Sequence, residues 1–179
     1  MTVPSAEGRI LEVGFGTGTN LPFYDASKVS HLFALEPSEG MRRLAKPAAE
    51  NAPFDISFLD LPGEEVPLED GAVDTVVCTF TLCSIGEWQS ALGQMRRVLK
   101  PGGRLIFAEH GRAPTPRLAQ WQDRLNGPWK ALAGGCNMNR PIRQFVEEGG
   151  FAIDRCEAYF MKGMPPVLGY MTHGAARPR

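Results

Sequence analysis

The sequence has no long hydrophobic run. Its most apolar stretch, VVCTFTLCSI at 76–85, falls far short of the ~20 residues that a membrane helix needs. The opening MTVPSAEGR has none of the charged-then-apolar layout of a secretory signal. Cysteine is scarce: the four residues Cys78, Cys83, Cys136 and Cys156 form no CxxC pair. His31, His110 and His173 are scattered along the chain. No metal-ligand spacing results, so no metal is expected. Reduced thiols and a cytoplasmic setting are the expectation instead. Charge of one sign is also lacking. A net charge of −1, without a basic stripe carrying interleaved aromatics, argues against nucleic acid and anionic membranes as partners. The basic end Arg177-Pro178-Arg179 reads as a solvated tail.

What is present is ordinary globular composition, with 43% apolar and 22% charged residues. A chain of 179 residues is expected to form one domain and to bury roughly 70% of its unfolded surface. Apolar, β-branched segments predict strands at 9–13, 31–35, 55–59, 73–80, 104–109, 151–157 and 167–172. Between them, helical spacing predicts helices at 39–51, 87–100 and 140–148. Ser38 would cap the first of these, and Pro47 would kink or shorten it. The stretch 111–140, rich in Pro, Gly, Trp and Asn, reads as an irregular insertion containing one helix. Alternating strand and helix predicts an α/β fold. It would be a doubly wound, mostly parallel seven-stranded sheet with helices on both faces and an antiparallel last strand.

The first strand runs into ILEVGFGTGTN, which places Gly14, Gly16 and Gly18 in one strand-to-helix turn. Glycines there let the backbone approach a ligand closely, and the following helix offers free amides. The dinucleotide pattern G-x-G-x-x-G fails because Thr19 occupies its third position. A phosphate loop fails for want of its lysine. Glu12 adds a carboxylate that would repel a pyrophosphate and attract an ammonium group. Glu36 closes the second strand, where a carboxylate can accept from both ribose hydroxyls. The ligand implied carries a ribose and an amino group but no phosphate.

These motifs, together with LEPS, LEDGAVDTVVCTFTLCSI and RRVLKPGGRLIFAEH, resemble the class I S-adenosylmethionine-dependent methyltransferases. DRLNGPWKALAGGCNMNR looks most like the thiol methyltransferase-like (methyltransferase-like 7) subgroup and its bacterial relatives. The resemblance covers 9–170. It implies S-adenosylmethionine as cofactor, with S-adenosylhomocysteine as product and a small molecule such as an alkyl thiol as acceptor. It also implies that Gly14, Gly16 and Gly18, with Glu12 and Asn20, hold the methionine moiety. Glu36 and Pro37 would hold the ribose, Gly63 and Glu64 would frame the adenine, and Thr79, Phe80 and Leu82 would line the methyl side. Two departures stand out. Pro62 replaces an aspartate that meets the adenine amino group in many relatives. The first strand also begins within ten residues of Met1, where relatives carry a helical segment over the cofactor, which implies a trimmed or more open site.

Methyl transfer from a sulfonium needs alignment more than acid–base help. A thiol acceptor, with an ordinary pKa near 8.5, must still lose its proton. His110 and Cys83, at strand ends, are the catalytic candidates. A structural hydrogen bond for His110 and a packed thiol for Cys83 are the competing readings. Asp74, at the far end of its strand, reads as structural. The alternative function is a protein that binds S-adenosylmethionine or S-adenosylhomocysteine without catalysis.

Overall fold

The computed structural model describes residues 3–179. In chain order the elements are β1 (Gly8–Val13), β2 (Val29–Leu35), α1 (Glu39–Glu50), β3 (Ile56–Leu59), β4 (Val73–Thr79), α2 (Trp88–Val98), β5 (Leu99–His110), α3 (Pro116–Leu132), α4 (Ile142–Glu148), β6 (Phe151–Phe160) and β7 (Tyr170–Pro178). The seven strands form one sheet in the order β3-β2-β1-β4-β5-β7-β6. The first five pair in parallel, and β7 runs antiparallel to both β5 and β6. Strand order reverses between β1 and β4, the place where ligands bind in doubly wound sheets.

Alternation along the strands explains the two-faced core. Leu11 and Val13 of β1 enter one apolar cluster together with Leu92, Met95 and Val98 of α2 and Val146 of α4. Ile10, one residue before Leu11 and so on the opposite face, enters a second cluster with Ala45 of α1 and Tyr24. Strands covered on both faces place apolar residues side by side, as at Ile10-Leu11 in β1 and Val76-Val77-Cys78 in β4.

Several boundaries differ from expectation. α1 continues through Pro47 to Glu50, capped by Ser38 Oγ, which accepts from the Met41 amide at 3.3 Å. Near its end Asn51 Nδ2 donates to the Pro47 carbonyl at 2.7 Å. α2 stops at Val98, and β5 begins at Leu99, pairing with Val73, so the Lys100-Pro101-Gly102-Gly103 stretch lies inside strand β5. The final strand covers Tyr170–Pro178 rather than 167–172, because turns at 161–169 occupy the expected start. The basic tail belongs to it: Arg177 pairs with Ala152 across the ladder, and its Nε donates to Asp154 at 2.9 Å. Asp74 accepts from the Arg9 amide and the Lys100 ammonium at 2.8 and 2.7 Å, at the sheet end away from the glycine turn.

Within 111–140 the one helix is α3, seventeen residues long with Pro116 at its start. Buried Gln122 holds it down. Its Oε1 accepts from the Ala113 amide, and its Nε2 donates to the carbonyls of Gly111 and Met138. Among the described residues no helix is long and apolar enough to cross a membrane.

Candidate cofactor site

The glycine turn leaves β1 with three left-handed residues, Gly14, Gly16 and Gly18, at φ of 75°, 58° and 79°. Gly14 also lacks room, since a Cβ there would lie 2.0 Å from Thr81 Oγ1. Gly16 is different: a Cβ there would meet nothing closer than a carbonyl at 4.0 Å, so its outer face is open space. Its amide donates to Glu36 Oε2 at 2.9 Å, and Glu36 Oε1 accepts from the Ser38 amide at 2.9 Å. The acid at the end of β2 is thereby fixed against the turn at the end of β1.

Two cavities meet here. One, of about 550 Å³, includes Glu36, Pro37, Gly63 and Glu64 in its wall. The other, of about 750 Å³, includes Glu12, Asn20, Thr79, Phe15, Tyr159 and His173. Gly14, Gly16, Met41, Phe80 and Thr81 border both. Phe80 takes the left-handed conformation at φ 51°, the sole non-glycine to do so among the described residues, and is 52% exposed. Such a conformation costs on the order of 1–3 kcal/mol and tends to persist at functional positions.

The structure therefore gathers eleven of the twelve expected cofactor residues in and around the turn. Gly18 shapes the turn but borders neither cavity. Leu82 is the exception: 1% exposed, its side chain belongs to the core cluster beside α2. Its amide is drawn to Glu109 and its carbonyl to Arg140, which turns the side chain inward.

Glu12 is 1% exposed, with Oε1 accepting from Asn20 Nδ2 and Oε2 from the Tyr24 hydroxyl, both at 2.8 Å. Asn20 Nδ2 also donates to Thr79 Oγ1 at 2.7 Å, tying the turn to β4. Burial pushes the Glu12 carboxyl up to about 7, against the pull of its two hydrogen bonds. Its strongest partners are thus internal, which the sequence did not disclose.

With this geometry in place the chain can be compared with known proteins. Residues 11–107 match the family of methyltransferase domains. The chain belongs to the methyltransferase-domain family. It is 34% identical over 178 residues to the human thiol S-methyltransferase TMT1B, covering 97% of this chain and 70% of that protein. It is 35% identical over 153 residues to human TMT1A, also a thiol S-methyltransferase, covering 83% of this chain and 62% of that protein. A protein from Bacillus halodurans described as a candidate methyltransferase superposes with a TM-score of 0.78 at 15% identity. That match covers 98% of this chain and 94% of the other, and shows the fold. This is an S-adenosylmethionine-dependent methyltransferase domain, as the glycine turn and Glu36 led us to expect.

The loop after β4 in this methyltransferase domain is held from two sides. Buried Glu109, at the end of β5, accepts the amides of Thr81, Leu82 and Cys83 at 2.9, 2.9 and 3.1 Å. Burial raises its carboxyl above the usual range, and the three amides pull it back. Arg140 Nη1 donates to the carbonyls of Leu82 and Ile85 at 2.6 and 2.5 Å. Neither residue had been singled out as a loop clamp, because both act through the backbone and leave no spacing signal.

The two catalytic candidates, Cys83 in this loop and His110 at the end of β5, lie together and border neither cavity. The His110 ring packs edge-on against Phe80, centroids 5.1 Å apart. Cys83, 1% exposed, lies 3.3 Å from Cys136, sulfur to sulfur, and Cys136 lies 3.8 Å from His110 Nδ1. The contact between the two thiols drives their pKa values apart: Cys136, aided by His110 and the Trp129 indole, is pulled down, while Cys83 is pushed well up by that contact and by burial. Cysteines and a histidine that show no ligand spacing along the chain thus meet in space. The fold brings together residues that lie 27 and 26 positions apart along the chain.

Proposed function

We propose that the protein transfers the methyl group of S-adenosylmethionine to a small, apolar thiol. The observation that carries this reading is the meeting of two unlike cavities at Phe80. The one beside Glu36 has the acid and backbone amides suited to a ribose and base. The one beyond Phe80 is walled by Phe15, Phe23, Met41 and Tyr159. In the reaction the acceptor thiolate attacks the methyl carbon, the carbon–sulfonium bond breaks, and the departing thioether keeps the electron pair as S-adenosylhomocysteine. The protein's task is to align three atoms and exclude water. Glu36 and Pro37 would seat the ribose, Gly63 and Glu64 the adenine, and Gly14, Gly16, Asn20 and Thr79 the methionine end, with Glu12 beneath its ammonium. The thiol acceptor is supported by the activity named for both human relatives.

We read 1–179 as one catalytic unit, with the segment 111–140 contributing to the acceptor side. It would work in a reducing, cytoplasmic setting, in keeping with four free cysteines. Calorimetric titration with S-adenosylmethionine, followed by turnover with a simple alkyl thiol, tests the reading. Micromolar binding that Glu36→Ala abolishes, with release of S-adenosylhomocysteine, is expected. Binding without turnover across a panel of alkyl and aryl thiols would leave a cofactor-binding protein that does not methylate thiols. No binding at millimolar ligand would remove the cofactor assignment itself.

A further inference from the structure

The Cys83, His110 and Cys136 cluster has no part in the alignment just described. Its three donor atoms come from three separate segments: the loop after β4, the end of β5 and the stretch between α3 and α4. All lie within 4.8 Å of one another. A tetrahedral zinc ion, with Zn–S near 2.3 Å and Zn–N near 2.0 Å, requires ligand-to-ligand edges of ~3.7 Å for two sulfurs and ~3.5 Å for sulfur and nitrogen. The observed edges, 3.3 Å between the sulfurs and 3.8 Å between Cys136 Sγ and His110 Nδ1, lie within ~0.4 Å of those lengths. A disulfide would need the sulfurs to close to ~2.05 Å.

The two cysteine-bearing segments are also fixed relative to each other. The Asn137 amide and its Nδ2 both donate to the Cys83 carbonyl, at 3.0 and 2.9 Å. The Cys83 amide is held by Glu109. Supports of this kind set ligand direction at metal sites. Among the described residues the His110 ring makes no hydrogen bond to oxygen or nitrogen, so its nitrogens are not committed elsewhere.

We propose that Cys83, His110 and Cys136 form a binding site for a thiophilic divalent cation of the zinc class, with its fourth position open to a ligand from outside the chain. Cys83 is buried while His110 and Cys136 are half-buried, so the ion is reached from the side of the latter two. A thiol taking the fourth position gives up its proton to solvent and stays as metal-bound thiolate. This last role rests on the thiol-acceptor reading; the site itself does not. The Phe80 ring, in contact with His110 and bordering both cavities, puts that thiolate one side chain from the cofactor cleft.

The reduced, metal-stripped protein, without S-adenosylmethionine, is titrated with Co2+ and then displaced with Zn2+. One equivalent of Co2+ with a sulfur-to-cobalt charge-transfer band is expected. Cys136→Ser and His110→Ala should weaken binding at least tenfold, and Cys156→Ser should not. Each variant's far-ultraviolet circular dichroism and S-adenosylhomocysteine affinity serve to show that it folds. Absence of the band, an unchanged band in Cys136→Ser, or a Cys83–Cys136 disulfide in place of metal uptake would overturn the site. Adding a small alkyl thiol to the Co2+-loaded protein should shift the band. An unshifted band would overturn the open fourth position, whereas failed methyl transfer despite a shifted band would count against the thiol-acceptor reading.

Discussion

Glu109 and Leu82 are joined across the end of the sheet: the Leu82 amide donates to Glu109 Oε1 at 2.9 Å, and the amides of Thr81 and Cys83 converge on the same carboxylate. Three amides on one buried acid place the whole loop after β4, and that loop carries Thr81 on the wall of both cavities.

Glu109→Gln leaves an amide group facing at least one backbone N–H, donor against donor. A buried donor without an acceptor costs about 1–3 kcal/mol. Urea unfolding should show a loss of that size, and S-adenosylmethionine binding should weaken with it. Unchanged stability would mean that the loop is held mainly by Arg140.

Glu12 titrates near neutrality in the folded chain, raised from about 4.5 to about 7 by burial. The folded state therefore holds a proton that the unfolded state has lost between those pH values. This contribution to stability is complete below pH 4.5 and declines as pH rises to 7, by on the order of 3 kcal/mol. Glu12→Gln should flatten the stability profile across that window. An ammonium arriving nearby should draw the proton off, so S-adenosylmethionine binding at pH 7 should release protons, detected as a heat that depends on the buffer. Proton-neutral binding would place the ammonium elsewhere.

The glycines of the turn separate cleanly by substitution. Gly14→Ala drives a methyl into Thr81 and should prevent stable folding, visible as lost cooperativity in thermal melts. Gly16→Ala meets open space, so it should cost only about 1–2 kcal/mol of left-handed strain. Its methyl would enter the space where the cofactor is proposed to bind, and affinity should then fall at least tenfold. Equal binding by Gly16→Ala and the parent would argue against ligand approach at Gly16.

Phe80 carries strain that glycine would relieve. Phe80→Gly should preserve or raise the unfolding midpoint while weakening S-adenosylmethionine binding and thiol turnover, because the wall between the cavities is gone. A large loss of stability instead would show that the edge contact with His110 outweighs the strain.

The parallel part of the sheet was legible because β1 and β4 are covered on both faces, so that apolar residues follow one another at Ile10-Leu11 and Val76-Val77-Cys78 with few polar residues among them. The glycine turn and Glu36 were legible because local backbone demands leave a spacing. The antiparallel end was blurred at its boundaries. Pro165, Pro166 and Gly169 mark a turn but not which strand residues follow, and alternation in β6 is masked by exposed residues on both sides. Leu82 was misplaced because a loop has no period that says which way a side chain points. The grouping of Cys83, His110 and Cys136, like the pairing of Glu12 with Tyr24, depends on chain crossings that no single segment encodes.

The position of β7 between β5 and β6 dictates an order of assembly. Among the described residues β6 has no partner strand other than β7, so it cannot join the sheet before residues 170–178 have been captured. The two strands are close in sequence, and a hairpin of that kind closes within microseconds. It can then dock onto β5 as one piece. Amide exchange should therefore find β6 and β7 opening together, and a break anywhere in β7 would release both strands at once.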